Sequence, residues 1–158
     1  MLGIFKKKTV NLMMPIEGQV ISIEAVPDPA FSQKMLGDGF AIKPNSGNVY
    51  SPVSGKIVQR FPTNHAIGIE STEGLEVLIH FGINTVELNG EGFKNHVEVG
   101  DYIEAGDLLL TVDIDYVKDH EKSLITPIVF TKSDQIKKIV VDYSDFEANQ
   151  ECGRVDMH

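Results

Sequence analysis

The amino-acid sequence predicts an all-β protein: an antiparallel β-sandwich or barrel built from two similar β units, with short surface helical turns. Fourteen glycines and seven prolines interrupt the chain roughly every eight to twelve residues, a spacing typical of short strands joined by turns. The runs between them are rich in β-branched residues, and helical periodicity is scarce. The phrase Pro-x-x-Gly-x-(Val/Ile) occurs at 15–20 and again at 52–57, which indicates two related units.

Short apolar or alternating runs bounded by turn residues predict eight strands. They are residues 20–23, 40–43, 48–51, 55–58, 66–69, 76–80, 108–112 and 127–130. Two segments favour a helix. Residues 30–36 follow Pro29, and residues 114–122 carry enough charged side chains for a short surface helix.

Composition limits the class of protein. With 158 residues, of which 42% are hydrophobic, one domain can bury a core without disulfides or metal ions. The single cysteine, Cys152, lies in a polar run and excludes an intramolecular disulfide. No apolar run approaches the roughly 20 residues of a membrane helix, and the first residues lack the apolar core of a secretory signal. We therefore expect a cytoplasmic protein.

Charge indicates the kind of partner. The net charge of −9, from 23 acidic and 14 basic residues, disfavours nonspecific binding to nucleic acid because phosphates would be repelled. It favours a basic protein partner instead. Apolar residues 1–5 precede Lys6, Lys7 and Lys8, a pattern that suits either contact with an anionic membrane or a solvated terminus. The apolar run is too short to anchor the chain, so we favour the solvated terminus.

Five histidines occur, and their neighbours divide them into two groups. His96, His120 and His158 lie in a predicted loop, a charged stretch and the chain terminus, so we expect solvated surface residues. His80 instead ends a predicted strand among apolar neighbours, where burial favours the neutral imidazole with a free nitrogen lone pair. His65 follows a polar turn at the mouth of another predicted strand.

The two strand-end histidines form a candidate pair. Facing residues of adjacent antiparallel strands have Cβ atoms roughly 5 Å apart, close enough for one imidazole to steady a phosphate carried by the other. A histidine in an apolar strand is also a common hydrogen-bonded core residue, so the residue types alone leave both interpretations open. The sequence lacks the Gly-x-Ser-x-Gly, phosphate-loop and Cys-x-x-Cys motifs, which disfavours a serine hydrolase, a nucleotidase or a redox enzyme.

Four longer phrases carry a family resemblance. They read PDP at 27–29, MLGDGFAI at 35–42, PTNHA at 62–66 and HFGINTVELNGEGF at 80–93. With these phrases, residues 14–141 resemble the glucose-class IIA domain of the bacterial phosphoenolpyruvate-dependent sugar phosphotransferase system. The resemblance implies an antiparallel β-sandwich with a shallow apolar depression around the histidines. It leaves residues 1–13 as a flexible N-terminal tail and residues 142–158 as a C-terminal tail.

The resemblance also implies roles for the site residues. His80 takes a phosphoryl group from the histidine carrier protein HPr and passes it to a cysteine of a IIB domain, at the inner face of the membrane. His65 hydrogen-bonds the phosphoryl group, and Thr63 orients the His65 ring. No cofactor is implied beyond the phosphoryl group held covalently on histidine. The resemblance assigns a rim that receives the partners to Asp28, Phe31, Met35, Leu36, Phe61, Leu78, Asn84 and Val86. Ordinary core packing is the competing interpretation for each apolar member, because patches rather than single residues mark an interface.

This chain departs from the family pattern at two places. Asn84 stands where the family usually has aspartate, so a partner arginine would meet one anion, Asp28, rather than two. An alternative interpretation is that Asn84 only caps a turn through its side-chain amide. The tail at 142–158 lacks the Gly-x-x-(Val/Leu) phrase that normally introduces a last strand, which argues against a terminal strand.

Two other functions compete with sugar phosphotransfer. A regulatory module that docks on transporters or kinases according to its phosphorylation state would use the same His80, and the sequence leaves the balance open. A catalytic zinc site is disfavoured because only His65 and His80 are credible ligands, whereas catalytic zinc uses three protein ligands. A weak intermolecular zinc site, in which a partner's carboxylate joins both histidines, remains compatible with the resemblance.

Overall fold

The computed structural model describes residues 8–158, which form fourteen strands and two short α-helices. In chain order the strands are β1 Lys8–Met13, β2 Gly18–Ser22, β3 Asp38–Pro44, β4 Asn48–Tyr50, β5 Gly55–Arg60, β6 Ala66–Ser71, β7 Glu76–His80, β8 Phe93–Asn95, β9 Tyr102–Ile103, β10 Leu108–Val112, β11 Thr126–Phe130, β12 Ile136–Val141, β13 Asp145–Phe146 and β14 Glu151–Met157. The helices are α1, Pro29–Ser32, and α2, Ile114–Asp119. A strand overlaps each of the eight predicted segments, and the all-β class is confirmed.

The strands form three antiparallel sheets. The largest has eight strands in the order β13-β2-β3-β11-β7-β6-β5-β9, and a small sheet has the order β4-β10-β8. The third, which we call the terminal sheet, has the order β1-β14-β12. Because β6 and β7 pair antiparallel near the middle of the large sheet, the start of β6 lies beside the end of β7.

Two glycines explain the repeated Pro-x-x-Gly phrase. Gly18 begins β2 and Gly55 begins β5. A Cβ atom at Gly18 would lie 2.2 Å from the Lys43 carbonyl oxygen, and one at Gly55 would lie 2.1 Å from that of Glu70. Only a residue without a side chain permits so close an approach of the neighbouring strand. The repeat therefore marks two corresponding strand starts.

The hydrophobic core consists mainly of inward-facing strand residues, with Phe40, Phe81 and Phe130 fully buried. A second, smaller apolar cluster involves α1 and the strands beneath it. Its buried members are Ile23, Val26, Phe31, Ala41, Ile83 and Val129. This cluster seats α1 on the large sheet, beside the end of β7.

The chain termini differ from the prediction. β1 pairs with β14, from Lys8 opposite Met157 to Leu12 opposite Gly153, and β14 also pairs with β12. The boundaries predicted at residues 14 and 141 are therefore wrong over the described chain, because both ends belong to the terminal sheet. Residues 1–7, which include most of the predicted N-terminal tail, lie outside the described residues. The paired strands come from opposite ends of the chain, so no local pattern indicates their pairing.

Cys152 is buried in this terminal sheet, although its sequence neighbours are polar. It is 1% exposed, and its thiol donates to the Leu12 carbonyl oxygen across 3.6 Å. Burial raises the pKa of Cys152 to about 12. The thiol is therefore a packing group rather than a nucleophile.

Both helices are shorter than the predicted segments. The Asp28 carboxylate accepts the Ala30 N–H at 2.9 Å and caps the start of α1. α1 ends at Ser32, and Lys34 takes a left-handed φ of 58°. α2 ends at Asp119, close before the left-handed Glu121. Neither helix of the described chain has the length and apolarity that a membrane crossing requires.

Candidate functional site

Two neighbouring strands bring His65 and His80 together. Ala66 at the start of β6 lies opposite His80 at the end of β7. One residue further out, the Phe81 N–H donates to the His65 carbonyl oxygen at 2.8 Å, which extends the strand pairing past both histidines. The centroids of the two imidazoles are 4.8 Å apart, and the ring planes meet at 79°. The two predicted histidines are thus in direct contact.

The His80 ring has one nitrogen committed to the backbone. Nδ1 lies 2.8 Å from the Gly82 carbonyl oxygen, and because a carbonyl only accepts, Nδ1 carries the proton. Neutral His80 therefore keeps its lone pair on Nε2, as a nucleophile requires. Burial lowers the pKa of His80, although the hydrogen bond to Gly82 and the nearby Asp28 carboxylate oppose this shift. The ring is therefore mainly neutral at neutral pH.

His65 is almost fully buried, with 2% of its surface exposed. The Thr63 hydroxyl lies 2.7 Å from Nδ1, and the Phe61 ring packs edge-on with its centroid 5.4 Å away. Burial and the neighbouring His80 lower the pKa of His65 to about 4, against an opposing contribution from hydrogen bonding to Thr63. His65 is thus neutral near pH 7, and Nε2 is the ring nitrogen that Thr63 leaves free.

The pair offers one nucleophilic nitrogen and one adjacent ring that can hydrogen-bond an anion. His80 is half-buried and Phe31 packs against it, a setting that limits the access of water to a labile phosphorus–nitrogen bond. In residues 8–158, no group of three or more His, Cys, Asp and Glu side chains is arranged to hold a metal ion. The described chain therefore supplies these two histidines with no third ligand.

The apolar residues predicted for the rim differ in how far they are exposed. Met35, Leu36 and Val86 are exposed to 70%, 44% and 50%, on the turns that follow α1 and β7. These three side chains are therefore open to a partner, and an interface is marked where such side chains form one patch. Phe61 and Leu78 are half-buried.

Phe31 differs from the exposed rim residues, although the prediction placed it among them. It is 4% exposed, and its ring centroid lies 5.1 Å from that of His80. Its burial favours core packing over an open rim position, because the side chain packs against the His80 ring as part of the α1 cluster.

The two polar rim positions also differ. Asp28 is half-buried at the start of α1, where its charge acts on His80. Asn84 is exposed, has a left-handed φ of 59°, and makes no side-chain hydrogen bond to the turn that it precedes. The interpretation that its amide caps this turn is therefore wrong. What the position requires is a left-handed backbone, which asparagine and aspartate both tolerate.

Three polar residues support the site but were not predicted from the sequence. Thr85 and Thr126 are fully buried and bond the peptide group between Phe81 and Gly82. Asn95 donates from Nδ2 to the Asn64 side chain at 2.8 Å and so holds the left-handed residue that precedes His65. Only Thr85 lies within the histidine phrase. The others are remote in sequence from the groups they bond, so no local signal identifies them.

Comparisons with known proteins agree with this geometry. Residues 10–136 match the family described as phosphoenolpyruvate-dependent sugar phosphotransferase system, EIIA 1. The glucose-specific EIIA component of Staphylococcus epidermidis is 45% identical over 135 residues, which are 85% of this chain and 81% of that protein. The glucosamine-specific EIICBA component of Bacillus subtilis is 53% identical over 125 residues, 79% of this chain but 20% of that longer protein.

A solved structure shows the same fold. The glucose permease IIA from Mycoplasma capricolum superposes with a TM-score of 0.88 at 38% identity, covering 93% of this chain and 96% of that one. The family match spans most of the described residues. The chain therefore belongs to the EIIA 1 family and is a phosphocarrier component of the phosphoenolpyruvate-dependent sugar phosphotransferase system.

Proposed function

We propose that Nε2 of His80 accepts the phosphoryl group from phosphorylated HPr, and that the group then passes to a cysteine of a IIB domain during sugar uptake. The hydrogen bond from His80 Nδ1 to the Gly82 carbonyl at 2.8 Å carries this proposal, because it leaves the lone pair on Nε2. The phosphorus–nitrogen bond to HPr breaks as the bond to Nε2 forms, and that bond breaks in turn as phosphorus joins sulfur. The Nδ1 proton stays in place throughout.

His65 and Thr63 complete the proposed machinery. The His65 ring is close enough to hydrogen-bond oxygens of a phosphoryl group on His80, given the 4.8 Å between ring centroids. Thr63 occupies Nδ1 of His65 and so directs the other nitrogen to this task. Phosphoryl transfer depends mainly on positioning and on stabilisation of charge around the moving group. Two fixed imidazoles supply both, and we propose no cofactor beyond the covalent phosphoryl group.

The surroundings of His80 suit partners with apolar and basic contact groups. Met35, Leu36 and Val86 present exposed apolar surface, and Asp28 offers a carboxylate beside the histidine. The net charge of −9 would speed the approach of a basic HPr. The Bacillus subtilis relative, in which a region like this chain is part of an EIICBA component, supports a IIB domain as the acceptor. We place the protein in the cytoplasm, at the inner face of the membrane when it is bound to its permease.

Intact-mass measurement after incubation with phosphoenolpyruvate, enzyme I and HPr tests the proposal. The wild-type protein should gain one phosphoryl group and His80→Ala none. His96→Ala is a matched control, because His96 is exposed and bonds only Thr111 among the described side chains, and it should gain the group like the wild type. Phosphorylated His80→Ala would overturn the assignment. Acceptance without onward transfer to any IIB domain tested would favour the regulatory module instead.

A further inference from the structure

Hydrogen bonds to neighbouring segments hold the backbone that follows His80. The Phe81 N–H donates to the His65 carbonyl at 2.8 Å, and the Ile83 N–H donates to the Ser123 carbonyl at 3.1 Å. Between them lies Gly82, whose carbonyl accepts the His80 Nδ1 proton. Gly82 has a φ of +74°, and without a side chain its dihedral angles are soft. Neighbouring groups must therefore hold the direction of its carbonyl.

Two buried threonines hydrogen-bond the peptide group next to that carbonyl. The Thr85 hydroxyl donates to the Phe81 carbonyl oxygen at 2.6 Å. The Gly82 N–H, at the other end of the same peptide group, donates to the Thr126 hydroxyl oxygen at 3.4 Å. Thr126 in turn donates to the Leu124 carbonyl at 2.9 Å. Both threonine side chains are 0% exposed, so water does not compete for these bonds.

Thr85 also packs against Gly82. A Cβ atom at Gly82 would lie 2.6 Å from the Thr85 methyl carbon and 2.7 Å from the Ser123 carbonyl oxygen. The hydroxyl and the methyl group of Thr85 thus have separate contacts. The hydroxyl holds the peptide group, and the methyl group fills the space beside the glycine.

We infer that Thr85 and Thr126 are positioning residues that hold the Gly82 carbonyl against His80 Nδ1 and thereby keep the nucleophilic lone pair on Nε2. The inference rests on the proposed function of His80. A neutral imidazole free of such a partner populates both tautomers, and the one protonated on Nε2 has no lone pair there to attack phosphorus. Loosening the peptide group therefore removes part of the reactive population before any partner binds.

Two variants at position 85 separate the hydroxyl from the methyl group. Thr85→Val keeps the shape and removes the hydroxyl, whereas Thr85→Ser keeps the hydroxyl and removes the methyl. Loss of one orienting hydrogen bond should slow phosphoryl acceptance in Thr85→Val on the order of tenfold, and Thr85→Ser should restore most of the rate. Rapid-quench measurement with phosphorylated HPr gives these rates.

Long-range ¹H–¹⁵N NMR spectra of the imidazoles provide a readout that a purely structural role would not move. In the wild type His80 should be protonated on Nδ1. In Thr85→Val the Nε2 resonance should shift toward the protonated position, and the pKa of His80 should fall further because the Gly82 hydrogen bond that raises it is weakened. Ser71→Ala is the matched control. It removes a buried hydroxyl bonded to Leu75 N–H at the far turn of the β6–β7 hairpin, and should leave the His80 tautomer and rate unchanged.

All rates and spectra are compared at a temperature where thermal unfolding shows each variant to be folded. If Thr85→Val does not fold, Thr126→Val removes the other threonine hydrogen bond to the same peptide group. A wild-type tautomer and rate in Thr85→Val or Thr126→Val would overturn the inference, as would a larger defect in Thr85→Ser than in Thr85→Val. Either result would leave the proposed function intact, because that stands or falls with the phosphorylation of His80→Ala.

Discussion

The β6–β7 hairpin and the terminal sheet are built in opposite ways. The turn of the hairpin spans the four residues 72–75, and the open end of the hairpin carries His65 and His80. The terminal sheet joins Lys8 to Met157, and it contributes Val10, Leu12 and Val155 to the hydrophobic core. The hairpin therefore carries the proposed chemistry on neighbouring strands, whereas the terminal sheet holds both ends of the described chain on the domain.

This difference indicates that the terminal sheet contributes to stability without contributing to the proposed transfer site. In residues 8–158, neither imidazole makes a ring contact or a side-chain hydrogen bond with a residue of the terminal sheet. Its one reactive side chain, the Cys152 thiol, is made inert by burial. Substitutions in the terminal sheet should therefore change folding, and substitutions at the hairpin end should change transfer.

The largest expected effect is on stability. Leu12→Ala removes a fully buried side chain from β1, and deleting such a leucine lowers the free energy of unfolding by about 3 kcal/mol through lost burial and a cavity. Urea unfolding measures this loss. At a temperature where the variant is folded, its rate of phosphoryl acceptance should equal that of the wild type. A slower rate in the folded variant would break the separation between the two regions.

The second effect is on transfer. His65→Gln keeps the proposed nucleophile but removes the ring proposed to steady the phosphoryl group, so acceptance on His80 should persist while onward transfer to a IIB domain falls about a hundredfold. Single-turnover chase of labelled phosphate from the purified phosphoprotein measures the second step. Leu12→Ala serves as the control with normal transfer. Equal loss of acceptance and onward transfer in His65→Gln would contradict the division of labour between the two histidines.

The third effect is on the pH dependence of stability. Unfolded His65 binds its proton near the ordinary pKa of 6.5, whereas folded His65 does so at about 4. Between these values the unfolded state holds more protons, so stability falls as the pH is lowered, by about 2 kcal/mol for this group between pH 7 and pH 5. His80, whose pKa is also lowered, adds in the same direction.

Urea unfolding of the wild type and of His65→Gln at both pH values isolates the His65 share, because the carboxylates titrate alike in both proteins. The loss between pH 7 and pH 5 should be about 2 kcal/mol smaller in His65→Gln. An identical loss in the two proteins would mean that His65 binds its proton over the same pH range in the folded and unfolded states, contrary to its burial.

The smallest expected effect is at the rim. Asn84→Asp adds a carboxylate at an exposed position whose left-handed backbone aspartate tolerates. Association with HPr should become about two- to fivefold faster at low salt and lose this gain at high salt, because rim charges act mainly on the encounter rate. Stopped-flow measurement at two ionic strengths tests this. Equal rates at low salt would show that the departure from aspartate has no effect on docking.

Some of these features follow from the sequence alone. Turn residues at short intervals and β-branched runs predict the strands, because strand formation and turn chemistry are set within a few residues. The end of the apolar run at His80 and the polar turn before His65 place both histidines at strand ends for the same reason. Their pairing remained a hypothesis at that level, since alternation does not say which strands are neighbours.

Tertiary structure alone decided the rest. The terminal sheet pairs strands from both ends of the described chain. The hydrogen bonds between Gly82 and Thr126 and between Cys152 and Leu12 likewise join groups that lie far apart in sequence. A buried hydrogen bond of this kind forms only after hydrophobic packing has brought the two segments together and excluded water. Neither partner has a local pattern that indicates the other, so the sequence alone predicted the strands and the two candidate histidines, and the fold decided which distant groups surround them.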